Sequence, residues 1–277
     1  MLNREEIHIR DPFILTCPEE ECYYMYGTTA LHNDTVSARN TFSVYKTKDL
    51  EHFSDPKVIL DGGEIGFWAD KDFWAPEVHG YKGKYYLFGS CKKDGRCRAT
   101  QIFVCDLPDG KFLPISDKPI TPADWECLDG TFYVEDNVPY MVFCHEWVQV
   151  GDGEIWAVKL ADDLSRPVEE PFLLFRASDN PYVSPYNGEE GKYVTDGPFL
   201  YREDGKLKMI WSSFNDGRYI VLEAESDSIR GKWKHYDSRY NFDAGHAMLF
   251  KRLDGTRMIS LHSPNLPGHE RPLFLKY

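Results

Sequence analysis

The chain has 277 residues, 15% of which are aromatic, and a formal net charge of −13 at pH 7. A charge of this sign disfavours nucleic acid and anionic membrane surfaces as partners, because both are polyanionic. The sequence contains no apolar run close to the roughly 18 residues that a membrane-spanning helix needs, so we expect no membrane association.

The chain start and the cysteines indicate the compartment. The first residues, MLNREEIHIRDP, are charged where a signal peptide has its apolar stretch. The seven cysteines all lie between Cys17 and Cys144, an odd number in an uneven distribution that is unlike a disulfide framework. These features predict reduced thiols and a cytoplasmic location, although a secreted protein whose signal is missing from this chain would look the same.

Five segments share one pattern: an apolar run, a short polar or glycine-containing turn, a second apolar run, and small polar residues. In chain order they are DPFILTCPEEECYYMYGTT, PEVHGYKGKYYLFGS, DGTFYVEDNVPYMVFCHEW, DGPFLYREDGKLKMIWSSF and GHAMLFKRLDGTRMISLHSPN. Each is typical of a β-hairpin. A further strand-like run follows each hairpin: FSVYKTKDL, TQIFVCDL, EIWAVKLADDL, YIVLEAESDSI and RPLFLKY.

The spacing of these units predicts the fold. The copies recur at intervals of roughly 50 to 67 residues, each with three or four antiparallel strands, and long helical periodicity is absent. We therefore predict an all-β fold, a single five-bladed β-propeller over residues 1–277. Two packed sheets could hold as many strands but give no reason for a repeating unit.

A propeller brings the starts of its units together, because the first strand of each blade lines the central channel. The residues expected to open the five units near the axis are Asp11, Pro76, Asp129, Asp196 and His246. Those expected to close the second strands at the same face are Thr28, Ser90, His145, Glu146, Ser212 and Ser213. Three acids from distant parts of the chain should therefore meet in one pocket.

Such a cluster suits the hydrolysis of glycosidic bonds. That reaction needs one carboxylic acid to protonate the leaving oxygen and one carboxylate to activate water or attack carbon. Crowded carboxylates raise at least one pKa, which keeps one acid protonated near neutral pH. An aspartate before glycine or proline is by itself a common turn residue, but three at repeated positions favour a catalytic role.

Motifs in a fixed order extend this interpretation over nearly the whole chain. They are RDPF at residues 10–13, YYMYGT at 23–28, WAPEV at 74–78, LDG at 128–130, DGP at 196–198 and GH at 245–246. Together they resemble glycoside hydrolase family 43. The resemblance implies a five-bladed propeller, an inverting mechanism and action on arabinose-, xylose- or galactose-containing glycans.

The resemblance also implies roles for the three acids. Asp11 is similar to the general base, and Asp129 to the acid that tunes and orients its partner. Asp196 stands where the family usually has the glutamate that acts as general acid, and its side chain is one methylene shorter. Three alternatives remain: a remodelled pocket in which Asp196 still reaches the glycosidic oxygen, Glu146 as the acid, or an inactive site.

Several residues are expected to bind the sugar. Trp74 and Trp147 are candidates for stacking against a sugar ring, and Phe13 and Phe73 could share that task. Glu77, in the WAPEV motif, is a further candidate. Arg10 could bond a substrate hydroxyl or pair with an acid, and Arg271 could hold the axis or close the ring.

Cofactor expectations centre on His246. The resemblance places this histidine on the axis, where it could help to hold a hydrated calcium or similar ion through water, and a core histidine bonded to backbone is the alternative. No cofactor should be required for the reaction, and no metal-ligand spacing occurs in the sequence.

The favoured function is an exo-acting glycosidase on small oligosaccharides, of the α-L-arabinofuranosidase or β-xylosidase type. An endo-arabinanase or a galactosidase of the same family is the alternative among enzymes. A non-catalytic sugar-binding propeller is the alternative from another class, and only the aspartate at position 196 supports it.

Overall fold

Five antiparallel sheets follow one another along the chain, and each forms one blade of a β-propeller. The computed structural model describes residues 1–29, 40–240 and 242–277. The predicted fold class is confirmed, and the predicted hairpins form the inner two strands of the five blades.

The strands are numbered in chain order. Blade 1 contains β1 (Leu2–Asn3), β2 (Ile9–Cys17), β3 (Cys22–Thr29), β4 (Thr41–Thr47), β5 (His52–Phe53) and β6 (Lys57–Asp61). Blade 2 contains β7 (Lys71–Tyr81), β8 (Lys84–Lys92), β9 (Ala99–Cys105) and β10 (Leu113–Pro114). Blade 3 contains β11 (Cys127–Glu135), β12 (Val138–His145), β13 (Glu154–Lys159) and β14 (Phe172–Arg176).

The last two blades complete the ring. Blade 4 contains β15 (Asp196–Glu203), β16 (Lys206–Asn215), β17 (Arg218–Ser226) and β18 (Lys234–Tyr236). Blade 5 contains β19 (Gly245–Lys251), β20 (Arg257–Ser263) and β21 (Arg271–Lys276).

Helical structure in the described ranges is short. The α-helix α1 covers Trp147–Val150, and 3₁₀ turns cover Arg4–Glu6, Pro18–Glu20, Ala177–Asp179 and Tyr186–Gly188. No helix among these residues has the length and apolar character needed to span a membrane.

The second strands of blades 1, 2 and 3 contain continuous buried runs rather than an alternation of buried and exposed residues. In β3, seven of the eight residues are buried, and β8 and β12 contain similar buried runs. A strand in the middle of a blade is covered on both faces by the neighbouring blades, so both of its faces must be apolar. This explains why the hairpins appear in the sequence as continuous apolar runs.

The core consists of apolar clusters between neighbouring blades. One cluster joins blades 1, 2 and 5, one joins blades 2 and 3, one joins blades 3 and 4, and one joins blades 4 and 5. Trp211, which has no exposed surface, lies in the cluster between blades 3 and 4. Truncating such a residue to alanine typically costs about 3–5 kcal/mol.

Blade 5 meets blade 1 through hydrogen bonds that join the two ends of the chain. Ser260 Oγ donates to the carbonyl of Pro12 at 2.7 Å, and the Ile9 amide donates to the carbonyl of Glu270 at 3.4 Å. Arg271 donates from Nε to the carbonyl of Glu5 at 2.6 Å and also contacts the ring of His8. Arg271 therefore helps to close the ring, which is one of the two roles expected for it.

The first strand of every blade is irregular near its start, and this irregularity fixes how the blades align. One residue pairs with the end of the second strand, and the next residue has a positive φ. The positive-φ residues are Asp11 (56°), Ala75 (45°), Asp129 (55°), Gly197 (50°) and His246 (51°). Glycine adopts such angles without steric cost, so the four positions occupied by other residues store local strain.

This register corrects the predicted alignment of the units. The position shared by Asp11, Asp129 and His246 is occupied by Ala75 in blade 2 and Gly197 in blade 4, and not by Pro76 and Asp196. Asp196 lies one residue earlier and pairs with Ser212, as Arg10 pairs with Thr28. The predicted equivalence of the five units rests on residue types, whereas their structural equivalence is given by the residue with the positive φ.

Candidate active site

Hydrogen bonds between consecutive blades hold the positive-φ residues at the axis. At four junctions the backbone amide of this residue donates to the side chain that closes the second strand of the preceding blade. The bonds run from Ala75 to Thr28 Oγ1 (2.7 Å), from Asp129 to Ser90 Oγ (2.9 Å), from His246 to Ser212 Oγ (2.8 Å) and from Asp11 to His262 Nδ1 (3.2 Å). The small polar residues at the ends of the hairpins therefore align the blades.

The junction between blades 3 and 4 differs from the other four. Cys144 occupies the closing position there, and the amide of Gly197 donates instead to Asp129 Oδ2 at 2.9 Å. A side chain at position 197 would not fit, because a Cβ atom would lie 2.8 Å from the ring of His246. Glycine thus permits a direct bond from blade 4 to the carboxylate of blade 3.

Asp11 is held as a carboxylate by its neighbours. Thr28 Oγ1 donates to its Oδ2 at 2.8 Å, and His246 Nδ1 lies 3.1 Å from its Oδ1. Burial disfavours the charged form, but the charge and hydrogen bond of His246, with the charge of Arg10, hold the pKa of Asp11 far below its usual range. Asp11 is therefore ionised at any working pH.

His246 is the cation of the cluster. Its Nδ1 lies between Asp11 and Asp129, at 3.7 Å from Asp129 Oδ2. Burial lowers the pKa of this imidazole, but the two carboxylates outweigh burial and raise its pKa to about 10. The neighbouring His262 is in the opposite state, because burial lowers its pKa to about 3 and leaves Nδ1 free to accept the Asp11 amide.

The other two acids are shifted toward the protonated form. Burial raises the pKa of Asp129 to about 8, opposed by His246 and assisted by the charges of Asp196 and Asp11. Burial also raises the pKa of Asp196, against the charge of His246 and a hydrogen bond from Tyr219. Asp11 is 9% and Asp129 7% exposed, whereas Asp196 is more open to solvent. The three predicted acids thus meet in one cluster and differ in charge.

Glu146 lies at the edge of this cluster in an ion pair. Arg98 donates from Nε to Glu146 Oε1 at 3.1 Å, and its other end lies 3.3 Å from Asp72. Burial raises the pKa of Glu146, and Arg98 opposes the shift. The guanidinium of Arg98 also covers one face of Trp74, with its carbon 3.8 Å from the ring centre. Trp74 is half-buried, so it offers one face at most to a sugar.

Three of the other predicted binding residues lie in the core or in tight pairs. Phe13 and Phe73 are 5% and 3% exposed and pack in the apolar cluster of blades 1, 2 and 5. Their burial in this cluster disfavours stacking of either ring on a sugar. Glu77 is buried, and its Oε2 lies 2.9 Å from His79 Nε2.

The remaining two candidates stay accessible. Arg10 donates to Glu270 at 2.9 Å, yet 31% of its side chain is exposed. Trp147 is half-buried and lies with its ring centre 5.0 Å from that of Tyr186. The pairing predicted for Arg10 is therefore present, and both side chains remain able to contact a ligand.

Within the described ranges, no group of three or more His, Cys, Asp or Glu side chains is arranged to hold a metal ion directly. A water-mediated ion beside His246 stays a prediction.

A cleft of about 1080 Å³ lies away from the acids, between blades 2 and 3. Its lining includes Trp68, Lys118 and Pro167 and none of the acids at the axis.

The sequence prediction missed three residues that shape the cluster: Tyr219, Arg98 and His262. Tyr219 lies in the third strand of blade 4 and Arg98 lies next to that of blade 2, and the sequence pattern of these strands indicates only a structural role. His262 ends the second strand of blade 5, at the position equivalent to Thr28 and Ser90. The first four hairpins were each assigned a residue that closes the second strand, and the same assignment in the fifth hairpin would have identified His262.

Comparisons with known proteins agree with this geometry. The protein-family model described as "Glycosyl hydrolases family 43" matches residues 6–275. A solved structure described as an endo-arabinase from Bacteroides thetaiotaomicron VPI-5482 is 40% identical, with a TM-score of 0.90 over 100% of this chain and 96% of that one.

Two curated proteins are more distant. A "Probable arabinan endo-1,5-alpha-L-arabinosidase C" of Aspergillus flavus is 26% identical over 163 residues, which is 56% of this chain and 46% of that protein. The match therefore spans less than half of the Aspergillus protein. An "Extracellular exo-alpha-(1->5)-L-arabinofuranosidase ArbA" of Cellvibrio japonicus is 22% identical over 276 residues, covering 89% of this chain and 72% of that protein.

Proposed function

Because the chain belongs to glycosyl hydrolases family 43, we propose that it hydrolyses α-L-arabinofuranosyl linkages of arabinan with inversion at the anomeric carbon. The family predicted from the motifs is confirmed.

The division of protons within the acid cluster carries the reaction. Inversion requires a charged base and a protonated acid at the same time. Asp11 is ionised and the pKa of Asp196 is raised, so Asp11 is suited to take a proton from water and Asp196 to give one to the leaving oxygen. Asp129 becomes more negatively charged as the pH rises through about 8. Its Oδ2 also accepts a hydrogen bond from the amide of Gly197, on the strand that carries Asp196.

Asp196 is a better candidate for the acid than Glu146. Arg98 donates to Glu146 and favours its charged form, which opposes the transfer of a proton to substrate. Asp196 has no cationic hydrogen-bond partner among the described residues, and its neutral partner Tyr219 contacts one oxygen. Glu146 then serves to hold Arg98 against Trp74.

Arabinan is the substrate that the relatives support best. The endo-arabinase from Bacteroides thetaiotaomicron is similar over nearly the full length of both chains. Of the two curated relatives described above, one is named as an endo-acting arabinosidase of arabinan and the other as an exo-acting α-(1→5)-L-arabinofuranosidase. We therefore place endo action first, and the exo action expected from the sequence second, since the relative from Cellvibrio japonicus is an exo enzyme by name.

One incubation tests substrate and mode together. Linear α-1,5-arabinan and xylan are treated with the protein, and the products are separated by length. Endo action on arabinan releases a ladder of oligosaccharides, whereas exo action releases a single small product from the start. Release from xylan alone would overturn the arabinan proposal.

The same incubation distinguishes an enzyme from a sugar-binding propeller, and Asp11→Asn, which should release no product, is its control. If wild type binds arabino-oligosaccharides and releases no product from any glycan, the protein is a sugar-binding propeller. The axial ion remains a separate prediction, and no step above depends on it. Activity that is lost in a chelator and returns with calcium would establish a role for the ion.

A further inference from the structure

Tyr219 joins the acid side of the cluster to the base side. Its Oη donates to Asp196 Oδ2 at 3.0 Å, and its ring stacks on His262 with ring centres 5.6 Å apart and planes 21° apart. His262 in turn accepts the backbone amide of Asp11. One buried side chain on β17 therefore contacts the proposed acid directly and is linked to the proposed base through His262.

The ring of Tyr219 has little freedom to move. It is 1% exposed and also packs against Phe214, at 5.2 Å between ring centres. On another side it lies over Gly245, where a Cβ atom would come within 2.1 Å of the ring. Its amide donates to Asp243 Oδ1, and its carbonyl accepts from the Ala244 amide. Backbone and side chain are thus both fixed, and the hydroxyl has a fixed direction.

We propose that Tyr219 is a positioning residue that fixes the Asp196 carboxyl, so that Oδ1 carries the proton given to the leaving oxygen. This inference rests on the proposed function. Among the described residues, no other side chain hydrogen-bonds Asp196, so removal of the hydroxyl leaves the carboxyl free to rotate.

The bond gains strength as the reaction proceeds. The Asp196 Oδ1–H bond breaks and the proton moves to the glycosidic oxygen, which keeps the electron pair of the broken C1–O bond. Water forms the new bond to C1, and its proton goes to Asp11. Asp196 is then a carboxylate, and a hydrogen bond to a carboxylate is roughly twice as strong as one to a neutral acid. Tyr219 therefore stabilises the transition state more than the starting state.

The environment of Asp196 contains other charges that the test must leave unchanged. Arg10, Asp11 and His246 influence its ionisation, and Asp129 and Glu146 are influenced by it. The substitution Tyr219→Phe alters none of them. It also keeps the ring contacts with His262 and Phe214, so the variant should fold and melt close to wild type.

The experiment compares phenyl and 2,4-dinitrophenyl α-L-arabinofuranosides, which have a poor and a good leaving group. We expect Tyr219→Phe to lower kcat on the phenyl glycoside roughly 10- to 100-fold with little change in KM, and on the dinitrophenyl glycoside by less than about threefold. The matched control is Tyr201→Phe in the same blade, whose hydroxyl bonds Tyr277 at 2.6 Å. It should behave as wild type on both substrates.

A double-mutant cycle with Asp196→Asn separates positioning from general damage. If Tyr219 acts through Asp196, then Tyr219→Phe adds little further loss in the Asp196→Asn background. An equal loss on both leaving groups, no loss beyond the control, or a full additional loss in that background would each overturn the role of Tyr219. A wild type inactive on arabinan and on both aryl glycosides would instead overturn the proposed function, and this role with it.

Discussion

Asp11 and Asp196 belong to one buried cluster and yet are held in opposite ways. Asp11 has a hydroxyl donor on one oxygen and an imidazolium beside the other, whereas Asp196 has a single neutral donor and is more open to solvent. Burial acts on both in the same direction, so it cannot explain their different charges. The comparison shows that the neighbouring side chains, and not burial, determine which of the two acids is charged.

The strongest test of this comparison removes the base. Asp11→Asn keeps the shape of the side chain and cannot accept a proton from water, so we expect kcat to fall roughly 10³- to 10⁴-fold. The loss should be similar for phenyl and dinitrophenyl arabinofuranosides, because both need the attacking water. A variant that retained more than a tenth of wild-type kcat on either substrate would show that Asp11 is not the base.

Replacing the acid should give a smaller and selective loss. Asp196→Asn cannot protonate the leaving group, so kcat on the phenyl glycoside should fall roughly 10²- to 10³-fold and on the dinitrophenyl glycoside less than about tenfold. Glu146→Gln is the matched comparison, because it changes the other candidate in the same way. If the selective loss appeared with Glu146→Gln and not with Asp196→Asn, the assignment of the acid would be wrong.

The pKa of Asp129 predicts a dependence of stability on pH. Its folded-state value of about 8 lies above the usual value near 3.9. The folded protein therefore binds a proton that the unfolded chain releases. The stability from this group is complete below pH ~4 and is lost as the pH rises through about 8.

Asparagine at position 129 removes this titration. We expect the Tm of Asp129→Asn, relative to wild type, to rise by several degrees between pH 5 and pH 8.5. The control is Asp117→Asn at an exposed site, whose Tm difference should stay flat. A flat difference for both variants would contradict the raised pKa of Asp129.

The smallest effect is expected where Arg271 closes the ring. Arg271→Met removes the bonds to Glu5 and His8, so the Tm should fall by a few degrees while kcat/KM stays within about twofold of wild type. Arg10→Met is the contrasting change. Because Arg10 is next to Asp11, we expect this substitution to lower kcat/KM. A large loss of activity in Arg271→Met would indicate that Arg271 contacts the substrate.

The fold was predictable because its signals are local. Each hairpin carries its own apolar runs and turn, and the repeat follows from comparing five short segments. The register was not predictable in the same way. A positive φ at Ala75 has no signature in residue type. Residue type alone equates Asp196 with Asp11, whereas the structural counterpart of Asp196 is Arg10.

The candidate site was predictable in part. The three acids meet because ring closure gathers the first strands, which needs no knowledge of individual contacts. Tyr219 could not be found this way, since its importance depends on the space left by Gly245 and on the ring of His262 in another blade. The position of Phe13 next to a catalytic motif does not determine whether its ring faces the site or the core, and the structure places it in an apolar cluster.

The stereochemistry of the first product tests the central claim most directly. Hydrolysis of an α-1,5-linked arabino-oligosaccharide is followed by ¹H NMR before mutarotation, and the anomeric signals are compared over time. A charged Asp11 that activates water, opposite a protonated Asp196, predicts the β-anomer first. The α-anomer as first product would mean that a carboxylate attacks the sugar itself, and would contradict the account.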